Sequence, residues 1–228
     1  MAKSYCSLSS LKAVFFGSDF TGSSAVRAVF AGNYNSTGDL QACSVEVTSG
    51  AVVFNSNHTL TVQNDVKVTG GSLTFDNNSS LVQVNYLDNN SLPFTNTGNI
   101  TYKRASTPSF KFDYTYWSTP VSPQNLLSVS STSPSNLFFI YNPAINNWQY
   151  INPTITTMVP GKGYIFRAPV SFPVGGPSTP QTHIASFVGV PNNGIITLPV
   201  TGGASQFNLL GNPYPSALSA DAFLLDAA

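Results

Sequence analysis

A chain of 228 residues in which nine Lys and Arg balance nine Asp and Glu has no net charge, and only 8% of it is charged, against about 25% in an ordinary soluble domain. So few and scattered cations exclude nucleic acid as a partner, and no apolar run approaches the ~20 residues of a membrane-spanning helix. Hydrophobic residues at 42% suffice for a sizeable core in one large β-domain or two modest ones, with a polar surface built from Asn, Ser, Thr and Gln.

Residues 1–24 form an irregular segment in this reading. Their apolar patch at residues 13–16 is too short and too interrupted for an export signal, so a fragment boundary is the better account. Cys6 and Cys43 allow one disulfide in an exported protein, stabilising by about 3–4 kcal/mol in the chain-entropy view. A buried, unpaired Cys43 with an incidental Cys6 is the other reading.

Organisation begins with an echo. "VEVTSGAVVFNSNHTLTV" from Val45 returns without gaps as "VKVTGGSLTFDNNSSLVQV" from Val66, an interval of 21 residues. A period of that size, rich in short β runs, marks a solenoid coil. Each coil holds three strands, at residues 45–47, 51–54 and 59–62 in the first copy. Alternation points Val45, Val47, Val52, Phe54, Leu60 and Val62 inward, and Glu46, Val53 and Thr61 outward. Stacking sets Glu46 beside Lys67 as an attractive pair and Asn57 beside Asn78 as a turn ladder. An antiparallel meander through the "SG" and "GG" turns is the rival, and it gives no reason for the 21-residue match.

One position breaks the pattern. Val62 aligns with Gln83, so either the register slips or a neighbour covers the outward Val82; the second is preferred. "AVRAVFAGNY" before the repeat and "GNITYKR" after it are expected as capping strands. The solenoid region is 25–105.

Residues 106–228 read as a β-sandwich-like domain, expected to be truncated at its C-terminus. "FKFDYTYWSTPVS" is an aromatic strand, "NLFFIYNPAINNWQYI" two strands about a polar loop, and "PGKGYIFRAP" a strand entered through Gly. "ASFVGVPNNGIITLPV" is expected as a strand pair with Asn193 and Gly194 at the bend, and "SQFNLLGNPYPSAL" as one more strand. Residues 118–136 and 169–182 are taken as surface loops. "SADAFLLDAA" is a short helix, capped by Ser219 with Asp221 in its first turn. The fold class is all-β: a short parallel β-solenoid, then a sandwich-like domain with a short C-terminal helix.

"ACSVEVTSG", "TGNITYKR", "DYTYWSTPVSPQNL", "PGKGYIFRAP" and "NLLGNPYPSALSADAF" together resemble a module of large secreted proteins of Flavobacterium-type Bacteroidetes, across residues 28–226. The resemblance implies export by type IX secretion, an extracellular or outer-cell-surface location and an adhesin-like role. The separate sorting domain of those proteins has no counterpart in this chain.

Reaction chemistry is absent from the motifs. His58 and His183 have no metal-ligand neighbours and read as surface residues. There is no GxSxG elbow, and "GKG" at 161–163 lacks the rest of a phosphate loop. The outward positions of the two coils give one ion pair and no carboxylate pair of the glycosidase kind. "FDNNSS" and "LDNNS" lack the ligand pattern of a calcium loop. The six N-x-S/T triplets, at Asn35, Asn57, Asn77, Asn78, Asn89 and Asn99, read as turns. An ice-binding Thr ladder fails because Thr59 and Thr61 become Ser80 and Val82. No enzyme activity, cofactor or metal is expected.

Aromatics remain. Tyr114, Tyr116 and Trp117, then Tyr141, Trp148 and Tyr150, form either the core or a sugar-stacking face, and Trp148 after the polar turn "NN" is the best placed at a rim. The expected function is a non-catalytic structural or adhesive module meeting surface glycans or other cell-surface proteins. The alternative is a carbohydrate-binding or carbohydrate-degrading β-helix module.

Overall fold

Val45 lies beside Val66, Val52 beside Leu73 and Leu60 beside Leu81, each pair on neighbouring parallel strands. The 21-residue echo is one turn of a solenoid, and the meander is excluded. The computed structural model describes residues 12–15, 23–203 and 206–226, with Cys6 outside them.

A strand β1 (Lys12–Phe15) precedes three coils. The first holds β2 (Arg27–Ala31), β3 (Tyr34–Asn35) and β4 (Leu40–Ala42). The second holds β5 (Val45–Ser49), β6 (Ala51–Phe54) and β7 (Thr59–Val62), and the third β8 (Val66–Val68), β9 (Ser72–Phe75) and β10 (Ser80–Gln83). They stack as parallel sheets β1-β2-β5-β8, β4-β7-β10 and β3-β6-β9.

The six side chains expected inside the second coil are all buried. Phe54 stacks on Phe75 with centroids 5.3 Å apart, and Tyr34 and Tyr102 extend the column at 6.0 and 6.3 Å. Each coil turns its first corner through glycine. Gly50 and Gly71 have φ of +80° and +70°, and a Cβ on Gly71 would stand 2.1 Å from the Gly50 carbonyl oxygen. The matched Asn57 and Asn78 also sit at positive φ, 67° and 66°, a region Asn tolerates better than most residues. That explains the shared residue type without a side-chain ladder.

Several expectations are corrected. "AVRAVFAGNY" does not merely cap; it opens a full coil. Ala28 pairs with Val45, Tyr34 with Val52 and Leu40 with Leu60, spacings of 17, 18 and 20 residues. Glu46 and Lys67 are register neighbours, yet Glu46 pairs with Arg27, and Lys67 with Asp65 at 2.9 Å. The coils do not slip at Gln83, which pairs with Val62. Its amide bonds to the Asn64 carbonyl and to the Asn96 side chain, so a polar side chain closes the coil end. Covering of Val82 and Val84 is incomplete: they are 36% and 53% exposed. Cys43 is buried and disulfide-bonded, which removes the free-thiol reading.

The chain then reverses its mode of pairing. β11 (Ile100–Ala105) adds in parallel to β9, and its other edge takes β17 (Ile184–Pro191) antiparallel over six residue pairs. Between them in sequence lie β12 (Tyr114–Trp117), β13 (Val121–Ser122), the short helix α1 (Leu126–Val129), β14 (Phe138–Asn142), β15 (Asn147–Tyr150) and β16 (Tyr164–Arg167). One six-stranded sheet, β13-β17-β11-β9-β6-β3, thus runs from the coils into the second half, and a four-stranded antiparallel sheet, β12-β16-β14-β15, packs beside it. Between the layers Phe187 meets Trp117 at 6.1 Å, Trp117 stacks on Phe166 at 5.8 Å, and Phe166 on Phe138 at 4.7 Å.

The hairpin expected in "ASFVGVPNNGIITLPV" does not form. β17 already has β11 on one edge and β13 on the other, so no edge is free for residues 195–200. The strand expected in "SQFNLLGNPYPSAL" reduces to one bridge, Lys162 to Leu210. Residues 118–136 are not simply surface: Val121, Leu126 and Thr119 are fully buried. The final helix α2 (Ala220–Asp226) forms as expected, the Ser219 hydroxyl accepting the Ala222 N–H at 3.2 Å.

Candidate aromatic binding face

Strand parity builds the site. Trp117 on β12 points into the core between the layers, 9% exposed. Tyr114 and Tyr116, three and one residues before it, point the other way and are exposed. Register carries that outer face across the sheet: Tyr116 opposite Ile165, Ile165 opposite Phe139, Phe139 opposite Tyr150, and Tyr141 opposite Trp148. The "NPAIN" turn, with Asn146 at φ 49°, returns β15 against β14 so that Trp148 lies on an edge strand.

Trp148 and Tyr116, 39% and 59% exposed, face each other with centroids 6.1 Å apart and planes at 44°. With Tyr114, Phe139 and Ile165 they line a groove of about 300 Å³. Neighbouring rings fix these walls. Tyr141 meets Trp148 edge-on at 5.3 Å, and its hydroxyl donates to Asn146 Oδ1 at 2.6 Å. Tyr150 stands edge-on to Phe139 at 6.4 Å, and Tyr114 tilts against Phe139 at 6.2 Å. At one end Arg167 stacks over Phe112 at 4.6 Å, its Nε–H bound to the Lys111 carbonyl.

Of the candidates read from sequence, Trp148, Tyr141 and Tyr150 share this face with Tyr114 and Tyr116, and only Trp148 of the three lines the groove. Trp117 does not join them. Phe139 and Ile165 went unnamed, although Phe139 stands two residues before Tyr141 and so shares its side of the strand.

The chemistry offered is non-covalent. Ring faces with wet polar edges bind ligands that are themselves part apolar and part hydroxylated, and no acid or base lines the groove. The histidines are not free surface residues: His58 Nδ1 bonds the Ser36 hydroxyl at 2.7 Å, and His183 Nε2 bonds the Val129 carbonyl at 3.0 Å, both half-buried. Among the described residues no three His, Cys, Asp or Glu side chains come together in a way that could hold a metal ion. Gly161 and Gly163 of "GKG" lie against Leu198 and Leu209, whose side chains a Cβ would strike at 2.6 and 2.4 Å; close packing accounts for both.

Residues 25–228 match the family described as "Domain of unknown function (DUF8693)". The chain belongs to that family. No curated protein matches it, and no solved structure does.

Proposed function

We propose that this DUF8693 chain is a non-catalytic adhesive module of a secreted or cell-surface bacterial protein, and that it holds surface glycans on the outer face of its four-stranded sheet. The observation that carries the proposal is the groove between Trp148 and Tyr116, lined almost wholly by aromatic rings and left open. Contiguous apolar surface on a folded chain marks a contact site, and a pyranose offers apolar C–H faces to such rings while its hydroxyls stay in water. The volume lies at the lower end of the range for small-molecule sites. The Cys43 disulfide supports an oxidising, extracytoplasmic setting, and the sequence resemblance supports a bacterial surface protein.

Turnover of a glycan would require two carboxylates about one bond. On the outer solenoid faces, Glu46 is engaged by Arg27 and Asp76 by Lys103, which supports adhesion over cleavage.

A glycan-array screen of the purified chain, followed by calorimetric titration of the hits, tests the reading. Binding should occur and fall at least tenfold in Trp148→Ala without a change in fold. No binding on the array, or binding that survives both Trp148→Ala and Tyr116→Ala, would overturn it.

A further inference from the structure

Tyr116 borders two cavities. Besides the aromatic groove it lines a cleft of about 270 Å³ between the end of β11 and residues 209–216. Polar groups meet there without the partners that burial normally supplies. The indole N–H of Trp117 and the hydroxyl of Ser118 are buried and make no hydrogen bond; native proteins leave few such groups, and each needs an account. Both residues line the cleft with Gly211, which passes so close to Ser118 that a Cβ on it would stand 2.4 Å from Ser118 Cβ.

Arg104 adds a positive charge to the same cleft. Its guanidinium lies 3.7 Å over the Tyr102 ring and donates through its two Nη atoms to the backbone carbonyls of Asp76, Ser79 and Lys103 and to the Tyr102 hydroxyl. The ion pairs among the described residues join Arg27 to Glu46, Lys67 to Asp65 and Lys103 to Asp76. Arg104 therefore carries a charge that no carboxylate offsets, and burial pushes its pKa down to about 10. No Asp or Glu lines the cleft. Indole and guanidinium are donors only, so the cleft joins hydrogen-bond donors to a positive charge.

We infer that this cleft receives the anionic substituent, carboxylate or sulfate, of an acidic saccharide whose adjoining ring stacks in the aromatic groove. Donors and a positive charge select an oxyanion, carboxylate and sulfate alike. The shared wall at Tyr116 lets one oligosaccharide occupy both cavities, with residues 209–216 moving outward to admit it to Trp117 and Ser118. The inference rests on the glycan reading above and narrows it to acidic glycans.

The test compares uronic-acid oligosaccharides, their carboxyl-reduced neutral counterparts and sulfated oligosaccharides, titrated into the full chain and its variants. Acidic ligands should bind more tightly than the neutral ones. Arg104→Gln should remove about 10- to 100-fold of affinity for them, the range for a hydrogen bond to a charged group, and leave neutral binding unchanged. Ser118→Ala deletes a hydroxyl that bonds nothing in the unbound fold, so it decides the matter if Arg104→Gln fails to fold; a structural role predicts no change and the inference predicts weaker acidic binding. A preference for uronate or for sulfate names the substituent. Equal affinity for acidic and neutral ligands, both lost in Trp148→Ala, would overturn the inference and leave the groove reading standing. Binding of neither class would remove both.

Discussion

Tyr102 and Phe187 are register partners across β11 and β17, and through them the column of rings inside the coils meets the aromatic layer of the second half. Phe75 stands 6.3 Å from Tyr102 on one side, and Trp117 stands 6.1 Å from Phe187 on the other. One apolar interior spans both regions.

A fragment ending at Arg104 should therefore aggregate or remain unfolded, because it exposes Tyr102 and leaves β11 as an open edge. The whole chain should melt in one transition by calorimetry. Two separated transitions, or a soluble folded 1–104 fragment, would show the regions to be independent.

Phe75 is fully buried between Phe54 and Tyr102. Phe75→Ala should cost about 3–5 kcal/mol, the range for a large aromatic removed from a core. Denaturant titration with an unchanged slope checks it.

Gly71 and Gly176 have nearly equal φ, +70° and +74°, in unlike surroundings: a Cβ meets the Gly50 carbonyl oxygen at 2.1 Å in the first case and nothing within 4 Å in the second. Gly176→Ala should cost about 1–2 kcal/mol for the left-handed backbone alone. Gly71→Ala should cost clearly more, because the corner must also open. Their denaturation midpoints should separate accordingly.

Burial raises the pKa of Tyr34, Tyr164 and Tyr214 above the usual 10.0. A raised pKa gives stability that is fully present below the unfolded value and lost as pH climbs through the folded one. Arg104 works in the opposite sense: its lowered pKa burdens the fold below about pH 10 and is relieved above it. Absorbance titration should show a late-ionising tyrosine fraction, with the folding midpoint falling above pH 10 as those groups ionise. Ionisation of all ten tyrosines at the ordinary value would contradict their burial.

The second and third coils were legible because their strands repeat at one fixed interval with the same inward residues. The coil of β2 to β4 was not, since its strands meet the next coil at 17, 18 and 20 residues; backbone stacking tolerates corners of unequal length where a sequence overlay does not. Failure at residues 195–200 has another cause. Asn193 and Gly194 are good turn residues, but whether a strand follows depends on an edge being free, and β13 occupies it. At the candidate site the aromatics were visible one by one, and period-2 parity within β12 separates Trp117 from Tyr114 and Tyr116. Which strands lie side by side depends on the order β12-β16-β14-β15, and so the pairing of Tyr116 with Trp148 had no signal in the chain.

The corners of the coil differ in how freely the chain can change length there. At the first, the path from β5 to β6 lies against the backbone of the coil before it and is only one residue longer than that coil's own path, the extra residue being taken up as a register shift beside Phe30 and Ala31. At the third, three residues join β7 to β8, whereas residues 84–96 separate β10 from Thr97, which bridges Lys67 of β8, and the parallel rungs still continue into β11. Natural insertions, and loops grafted by design, should enter the solenoid at that corner, which makes it the place where relatives can acquire new surface without disturbing the stacked interior.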